Sequence, residues 1–186
     1  MTIRITQGAP GDADQLAVLA ALTFPLACPP TSRPEDIEQY LATELTAAKF
    51  AEHLTDPNKT LLCLRGDGHL LAYSLLIKGL PGDEQVRSAI SLFPTIELSK
   101  FYVHPSHHGQ GAASSLMEAS LEAARLSGAH GIWLGTNDQN ARAVRFYKKH
   151  GFAKVGAKTF RLGSGIETDF VLERAVADPV RRGPSE

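Results

Sequence analysis

Cysteine is scarce in this chain, which has only Cys28 and Cys63 among its 186 residues. They stand 35 positions apart in apolar surroundings. That spacing makes neither a disulfide framework nor a metal-ligand pattern, and it fits a reducing cytoplasm. No apolar run approaches the ~20 residues that a membrane-spanning helix needs, so no membrane association is expected. The N-terminus lacks a basic stretch followed by an apolar block, and Asp12 and Asp14 interrupt it, so no secretory signal is expected. Dense basic stripes and basic-aromatic repeats are missing as well, which argues against a nucleic-acid partner. Internal repeats and low-complexity blocks are also lacking. What remains is 43% hydrophobic and 21% charged residues, the balance of an ordinary globular protein. The length suits one domain, expected over residues 1–175, with a polar, proline-containing tail over 176–186.

The formal net charge of −1 hides an asymmetry. Residues 1–97 carry seven Lys/Arg against twelve Asp/Glu, and residues 98–186 carry twelve against eight. An acidic half joined to a basic half suits two ligands of opposite charge, the anionic one near the C-terminal half.

Periodicity divides the chain into short elements. Residues 2–7 alternate as a strand, and a helix capped by Asp12 or Asp14 is expected through about Leu22. The prolines of CPPTSRP (28–34) require a loop, followed by one helix over about Glu35 to His53. Residues 60–65 and 69–78 read as a hairpin across Gly66-Asp67-Gly68, and 79–94 as an irregular connection. Thr95 to Val103 is apolar towards both faces, the mark of a central strand. A glycine-rich turn (HHGQGAAS, 107–114) then opens a helix ending at Gly128. A strand at 132–135, a helix at 141–150 and strands near 152–162 and 167–172 follow. The fold class is mixed α/β, ordered β-α-α-β-β-β-α-β-α-β-β.

The strand–turn–helix unit IELSKFYVHPSHHGQGAASSLMEASLEAA carries the chemistry. Gly109, Gly111, Ala112 and Ala113 allow close backbone approach. The first helical turn offers unpaired N–H groups and positive dipole potential, which suits a diphosphate. No Gly-Lys-Ser/Thr follows, so it is not a Walker loop, and it does not match G-x-G-x-x-G. Downstream, Asn140 and Tyr147 lie seven residues apart, which returns them to one helix face ~10.5 Å apart along the axis. As simple structural residues they would be a helix cap and a core tyrosine. The histidines of HPSHH (His104, His107, His108) flank a proline turn with no carboxylate or thiol beside them, so a metal site is not expected. Trp133 reads as a packing residue. Lys148 and Lys149 read as a solvated helix end, with approach to an anionic ligand as the alternative.

HPSHHGQGAASSLM resembles the acyl-CoA signature of the GNAT superfamily of N-acetyltransferases, Gln/Arg-x-x-Gly-x-Gly/Ala. His108 stands at the Gln/Arg position, Gly111 at the Gly and Ala113 at the Gly/Ala. NDQNARAVRFYKKHGF is similar to the family block Asn-x-x-Ala-x-x-x-Tyr-x-x-x-Gly-Phe, and the element order matches over about residues 2–174. Residues 132–174, with the ending GAKTFRLG…TDFVLER, further resemble bacterial spermidine/spermine N-acetyltransferases.

The resemblance implies that the strands form a central mixed, partly splayed sheet. It also implies acetyl-CoA as co-substrate, no metal, and direct attack of a neutral amine on the thioester. Backbone groups of Phe101, Tyr102 and Val103 would meet the pantetheine arm, and Asn140 would bond it. His108, Gly109, Gln110, Gly111, Ala112, Ala113 and Ser114 would surround the diphosphate. Tyr147 would protonate the leaving thiolate. Glu97 is the expected base, since it precedes Val103 by six residues and simple alternation puts both on one face. The implied acceptor is a small polycation, a polyamine above all, favoured by Glu35, Asp36, Glu38, Glu44, Asp83 and Glu84 in the acidic half. Aminoglycoside, protein or tRNA amines, or a weakly catalytic acyl-CoA-binding module, are the rival readings. A homodimer is a further expectation.

Overall fold

The computed structural model describes residues 3–176. Seven strands form one mixed sheet: β1 (Ile3–Gln7), β2 (Lys59–Gly66), β3 (His69–Lys78), β4 (Thr95–Val103), β5 (Gly131–Asn137), β6 (Ala153–Leu162) and β7 (Gly165–Ala175). Six helices connect them: α1 (Ala13–Ala27), α2 (Pro34–Glu44), α3 (Ala47–Thr55), α4 (Glu84–Ala89), α5 (Ala112–Leu126) and α6 (Ala141–Lys149). The strand order is β1-β2-β3-β4-β5-β7-β6, with β4 and β5 the parallel neighbours. The expected mixed α/β architecture is present, and β4 is its middle strand. Among the described residues, no helix is long and apolar enough to cross a membrane.

Both faces of the sheet are covered. On one face Leu16, Leu19, Phe24 and Phe50 of α1 and α3 pack on Leu61, Tyr73 and Leu75. On the other, Met117 and Ala124 of α5 and Tyr147 of α6 pack on Leu76, Leu98 and Ile132. Apolar residues at helical spacing thus meet apolar residues at strand spacing from either side.

Three local expectations need correction. Helix α1 runs past Leu22 to Ala27 and contains Pro25. Burial of Phe24, and the bond from Thr23 Oγ1 to Leu19 O at 2.7 Å, hold that last turn despite the proline. The single helix expected over 35–53 is two, because Thr46 accepts the Lys49 N–H and caps a new start. The connection 79–94 contains α4, capped by Asp83 Oδ1 accepting from Gln85 N at 2.8 Å. Val86 and Ile90 anchor this connection against Trp133 and Val171, which confirms the packing role of Trp133. Val176 is buried and its N–H donates to His130 O at 2.9 Å, while the rest of the expected tail lies outside the described residues.

Glu173 on β7 ties the end of that connection to the sheet. Only 5% exposed, it accepts from Ser91 N (3.0 Å), Leu92 N (2.9 Å) and Ser91 Oγ (3.2 Å). Leu92 in turn lies so close to Gly131 that a side chain there would collide with it. Glu173→Ala should therefore cost about 2–3 kcal/mol, read from the urea midpoint, because it leaves two amides without an acceptor. Glu173→Gln should cost less, since the amide oxygen still accepts.

Candidate active site

Strands β4 and β5 pair at only three positions, Thr95↔Gly131, Ile96↔Ile132 and Glu97↔Trp133. Beyond them β4 stays with β3 as far as Val103↔Ala72, and β5 stays with β7 as far as Asn137↔Asp169. Each strand follows its antiparallel partner, so the two part. From Leu98 onward β4 has a backbone edge towards β5 with no sheet partner, a ready set of hydrogen-bonding groups for an extended ligand. A cavity of about 510 Å³ occupies the gap, walled by these strands and by α1, α2, α6, β6 and β7.

At one mouth the chain makes the glycine turn. Gly109 (φ 76°) and Gly111 (φ 84°) adopt left-handed conformations that a side chain would strain, and Gly111 begins α5. Ala113 puts the first turn of α5 at this mouth, where unpaired helix amides and the helix dipole add positive potential. Gly109 and Ala113 line the cavity, whereas Gln110, Gly111, Ala112 and Ser114 do not. Gln110 Nε2 donates to Ser106 O at 2.9 Å, and Ala112 is buried against Leu116.

His108 lies at the mouth with both ring nitrogens engaged. Nε2 contacts Val103 O at 2.9 Å, and Nδ1 contacts Arg142 Nη1 at 3.0 Å. A neutral ring with its proton on Nε2 satisfies both bonds. The His108 ring therefore braces Arg142 of α6, which supplies the cationic side chain at this mouth. Asn140 lines the cavity but its Oδ1 caps α6 by accepting from Ala143 N at 3.1 Å. His104 Nδ1 accepts from Ser106 N at 3.2 Å.

The alternation argument for Glu97 fails, and the reason is a bulge. Leu75 pairs with Lys100 and Leu76 with Leu98, so Ser99 is an extra residue on β4. Six residues separate Glu97 from Val103, yet only five separate their partners Ile77 and Ala72. Glu97 therefore faces the α1 side of the sheet, and Val103 packs with Leu116 of α5 on the other. Phe101 lies with Phe146 and Tyr147, and Tyr102 with Phe24 and Tyr73. Because β4 residues of both faces line it, the cavity passes through the sheet at the gap.

At the second end, Glu97 and Lys100 of β4 meet Tyr40 of α2, Lys158 and Phe160 of β6, and Glu167 and Asp169 of β7. Burial raises the Glu97 carboxyl above the usual carboxylate range, with Lys100, Lys158 and a bond from Ser99 pulling the other way. Burial likewise raises Asp169, although Lys158 Nζ stands 3.6 Å away. Gly135 on β5 makes room for this lysine, since a side chain there would meet Lys158 Cε at 2.7 Å. Glu167 accepts from Asn137 Nδ2 at 2.8 Å and from Ser32 Oγ. Cys28 also lines the wall, its thiol pushed up to about 11 mainly by burial.

Tyr147 is 9% exposed and lines the cavity from α6. Phe101, Phe146 and Phe152 surround its ring at centroid distances of 6.2, 5.6 and 5.9 Å. Burial raises its phenol well above its ordinary range, so the hydroxyl keeps its proton at neutral pH. The gap thus has a protonated phenol on the α6 side and a half-buried carboxyl group on the α1 side.

Sequence reasoning missed Arg142, Lys100, Lys158, Glu167 and Asp169. The signal for Lys158 and Asp169 was their placement directly opposite in the last hairpin. None of Glu35, Asp36, Glu38, Glu44, Asp83 and Glu84, on which the polycation expectation rested, lines the cavity. Asp36 binds the β6–β7 turn, accepting from Ser164 N at 3.0 Å, and Asp83 caps α4.

Residues 22–152 match the acetyltransferase (GNAT) family. An uncharacterised N-acetyltransferase of Mycobacterium tuberculosis is 47% identical over 163 residues, spanning 88% of this chain and 97% of that protein. A Salmonella typhimurium L-methionine sulfoximine/L-methionine sulfone acetyltransferase is 38% identical over 58 residues, 31% of this chain and 33% of that one. Among solved structures, a PaiA N-acetyltransferase of Thermoplasma acidophilum in complex with coenzyme A superposes with a TM-score of 0.74. It shares 18% identity over 94% of this chain and 99% of that one. A match over most of the chain, a close relative of nearly equal length and the shared fold agree: this chain is a GNAT-type N-acetyltransferase, a member of the acetyltransferase (GNAT) family.

Proposed function

We propose that the protein transfers the acetyl group of acetyl-CoA to the amine of a small acceptor, and that the two cosubstrates enter the gap from opposite faces of the sheet. One observation carries this reading: β4 and β5 separate directly after Glu97, and the cavity there runs past both Tyr147 and Glu97. The unpaired β4 edge suits the amide groups of a pantetheine arm. The glycine turn, the start of α5 and Arg142 suit the diphosphate. The fold is shared with an acetyltransferase solved in complex with coenzyme A, which supports coenzyme A as the carrier.

The amine nitrogen attacks the thioester carbonyl, so the C–N bond forms and the C–S bond breaks. The amine gives up its proton to Glu97, directly or through water, and the departing thiolate takes one from Tyr147. The free thiols of Cys28 and Cys63 fit a reducing cytoplasm as the working compartment.

A polyamine acceptor would draw on Glu97, Glu167 and Asp169. Two of those carboxylates already have partners, and two lysines stand among them. That arrangement gives a polycation less support than the charge of the N-terminal half suggested. The Salmonella relative is named for amino-acid analogues, though it matches over a third of its length only.

Two measurements test the proposal: calorimetry with acetyl-CoA, and CoA-thiol release across polyamines, aminoglycosides, amino acids and peptides. Saturable binding and acceptor-dependent thiol release are expected. Binding without release to any amine would leave an acyl-CoA-binding module instead. Gly111→Val should weaken acetyl-CoA about tenfold by calorimetry, since a β-branched residue in a left-handed conformation costs ~1–2 kcal/mol. Unchanged affinity would remove the glycine turn from the cofactor site.

A further inference from the structure

The bulge at Ser99 brings together two side chains that a regular strand would hold apart. Glu97 and Lys100 are three residues apart, an odd separation that places them on opposite faces of an unbroken strand. With Ser99 extruded, their partners on β3 are Ile77 and Leu75, an even separation, so both face the same end of the cavity. Lys100 is half-buried on the cavity wall and, among the described residues, its ammonium group enters no hydrogen bond or salt bridge. Glu97 and exposed Glu44 are the carboxylates near enough to stabilise its charge, while burial and Lys59 lower its pKa. An ammonium held in a cavity without a partner is a site for an anion.

The neighbouring charged groups already have bonding partners. Lys158 pairs with Asp169, and Glu167 is bonded by Ser32 and Asn137. Among the described residues, Lys100 is thus the cation at this end of the cavity with no carboxylate bonded to it, and Glu97 lies beside it on the same face. Tyr40 and Phe160, 5.8 Å apart edge to face, supply an apolar wall beside them.

Building on the acetyl-transfer reading above, we infer that the acceptor is an amino acid, its carboxylate received by Lys100 and its amine presented towards Glu97. A polyamine would set a further ammonium group against Lys100, a like-charge contact in a partly desolvated cavity. A zwitterion offers its carboxylate to Lys100 and its amine to Glu97, and its apolar side chain meets the aromatic wall. Lys100 then selects the acceptor, and Glu97 activates it.

The test compares acceptors that differ by the carboxylate alone. CoA-thiol release is measured for L-methionine, L-leucine and L-phenylalanine against the amines obtained by decarboxylating each, with spermidine alongside. The wild-type protein should favour at least one amino acid over its decarboxylated amine by at least tenfold in kcat/KM. In Lys100→Gln that ratio should fall at least tenfold, mainly through the KM of the amino acid, and Lys100→Arg should restore part of it. Faster turnover of spermidine or of the decarboxylated amines than of every amino acid overturns the inference and leaves acetyl transfer standing. So does a ratio that Lys100→Gln leaves unchanged. Thiol release with no acceptor of any class defeats acetyl transfer and this inference together. The wild-type comparison requires no variant, so it decides the acceptor class even if Lys100→Gln fails to fold.

Discussion

Tyr147→Phe should lower kcat by at least tenfold while leaving acetyl-CoA affinity within about a factor of two. The substitution removes one oxygen and nothing else from the aromatic cluster. Phe101, Phe146 and Phe152 hold the ring edge-on, and phenylalanine keeps those contacts. What disappears is a proton donor beside the gap where β4 and β5 part. A thiolate leaving into a buried site without a donor must be expelled as a full anion, and positioned acids typically contribute ~10²–10⁴ in rate. Because burial raises the phenol far above neutrality, the donor is loaded across the whole working pH range. The lost rate should therefore be nearly independent of pH. Rapid-quench measurement of the first turnover separates the chemical step from product release. A variant with wild-type kcat and a chemical step that still limits turnover would leave Tyr147 as packing alone.

The half of the cavity proposed for the cofactor has local signals in the sequence. Gly109 and Gly111 declare left-handed backbone, and a helix start follows within a few residues. Asn140 and Tyr147 fall on one helix face by spacing alone, although the structure uses Asn140 Oδ1 as a cap. The acceptor half was hidden because its geometry depends on partners distant in sequence. Whether Ser99 is bulged is decided by how β3 pairs with β4, and nothing within TIELSKFYV reveals it. The same extra residue turned Glu97 away from Val103 and brought Lys100 beside it. Lys158 and Asp169 become a pair only through the register of the last hairpin, with room supplied by Gly135 on a third strand. Net charge misled for a related reason. Asp36 serves the β6–β7 turn and Asp83 caps α4, and a count over half a chain does not distinguish those uses from a binding site.

Glu97→Gln should reduce kcat/KM by ~10²-fold at neutral pH and should also make the protein more stable there. The loss follows from the role of base, since the amide fills the same space but takes no proton. Wild-type kcat/KM should rise with pH along a limb that belongs to Glu97 and lies above the ordinary carboxylate range, because burial raises its pKa. That limb should vanish in the variant, and activity should partly recover at alkaline pH as the free amine becomes abundant. The stability argument has the opposite sign. A carboxyl whose pKa is higher in the folded than in the unfolded state binds its proton more tightly when folded. Folding stability then declines as pH rises from the unfolded pKa to the folded one. Above that window the wild type carries the cost of a desolvated carboxylate, which glutamine avoids. Thermal melts at pH 4 and pH 7 should show the variant gaining on the wild type at the higher pH, while thiol release shows it losing. A variant that loses stability at pH 7 along with activity would show Glu97 to be a structural partner of Lys100 and Lys158, and the base would have to be sought in solvent. Gain in one assay and loss in the other is the outcome expected of a charge held in the cavity for catalysis at the expense of the fold.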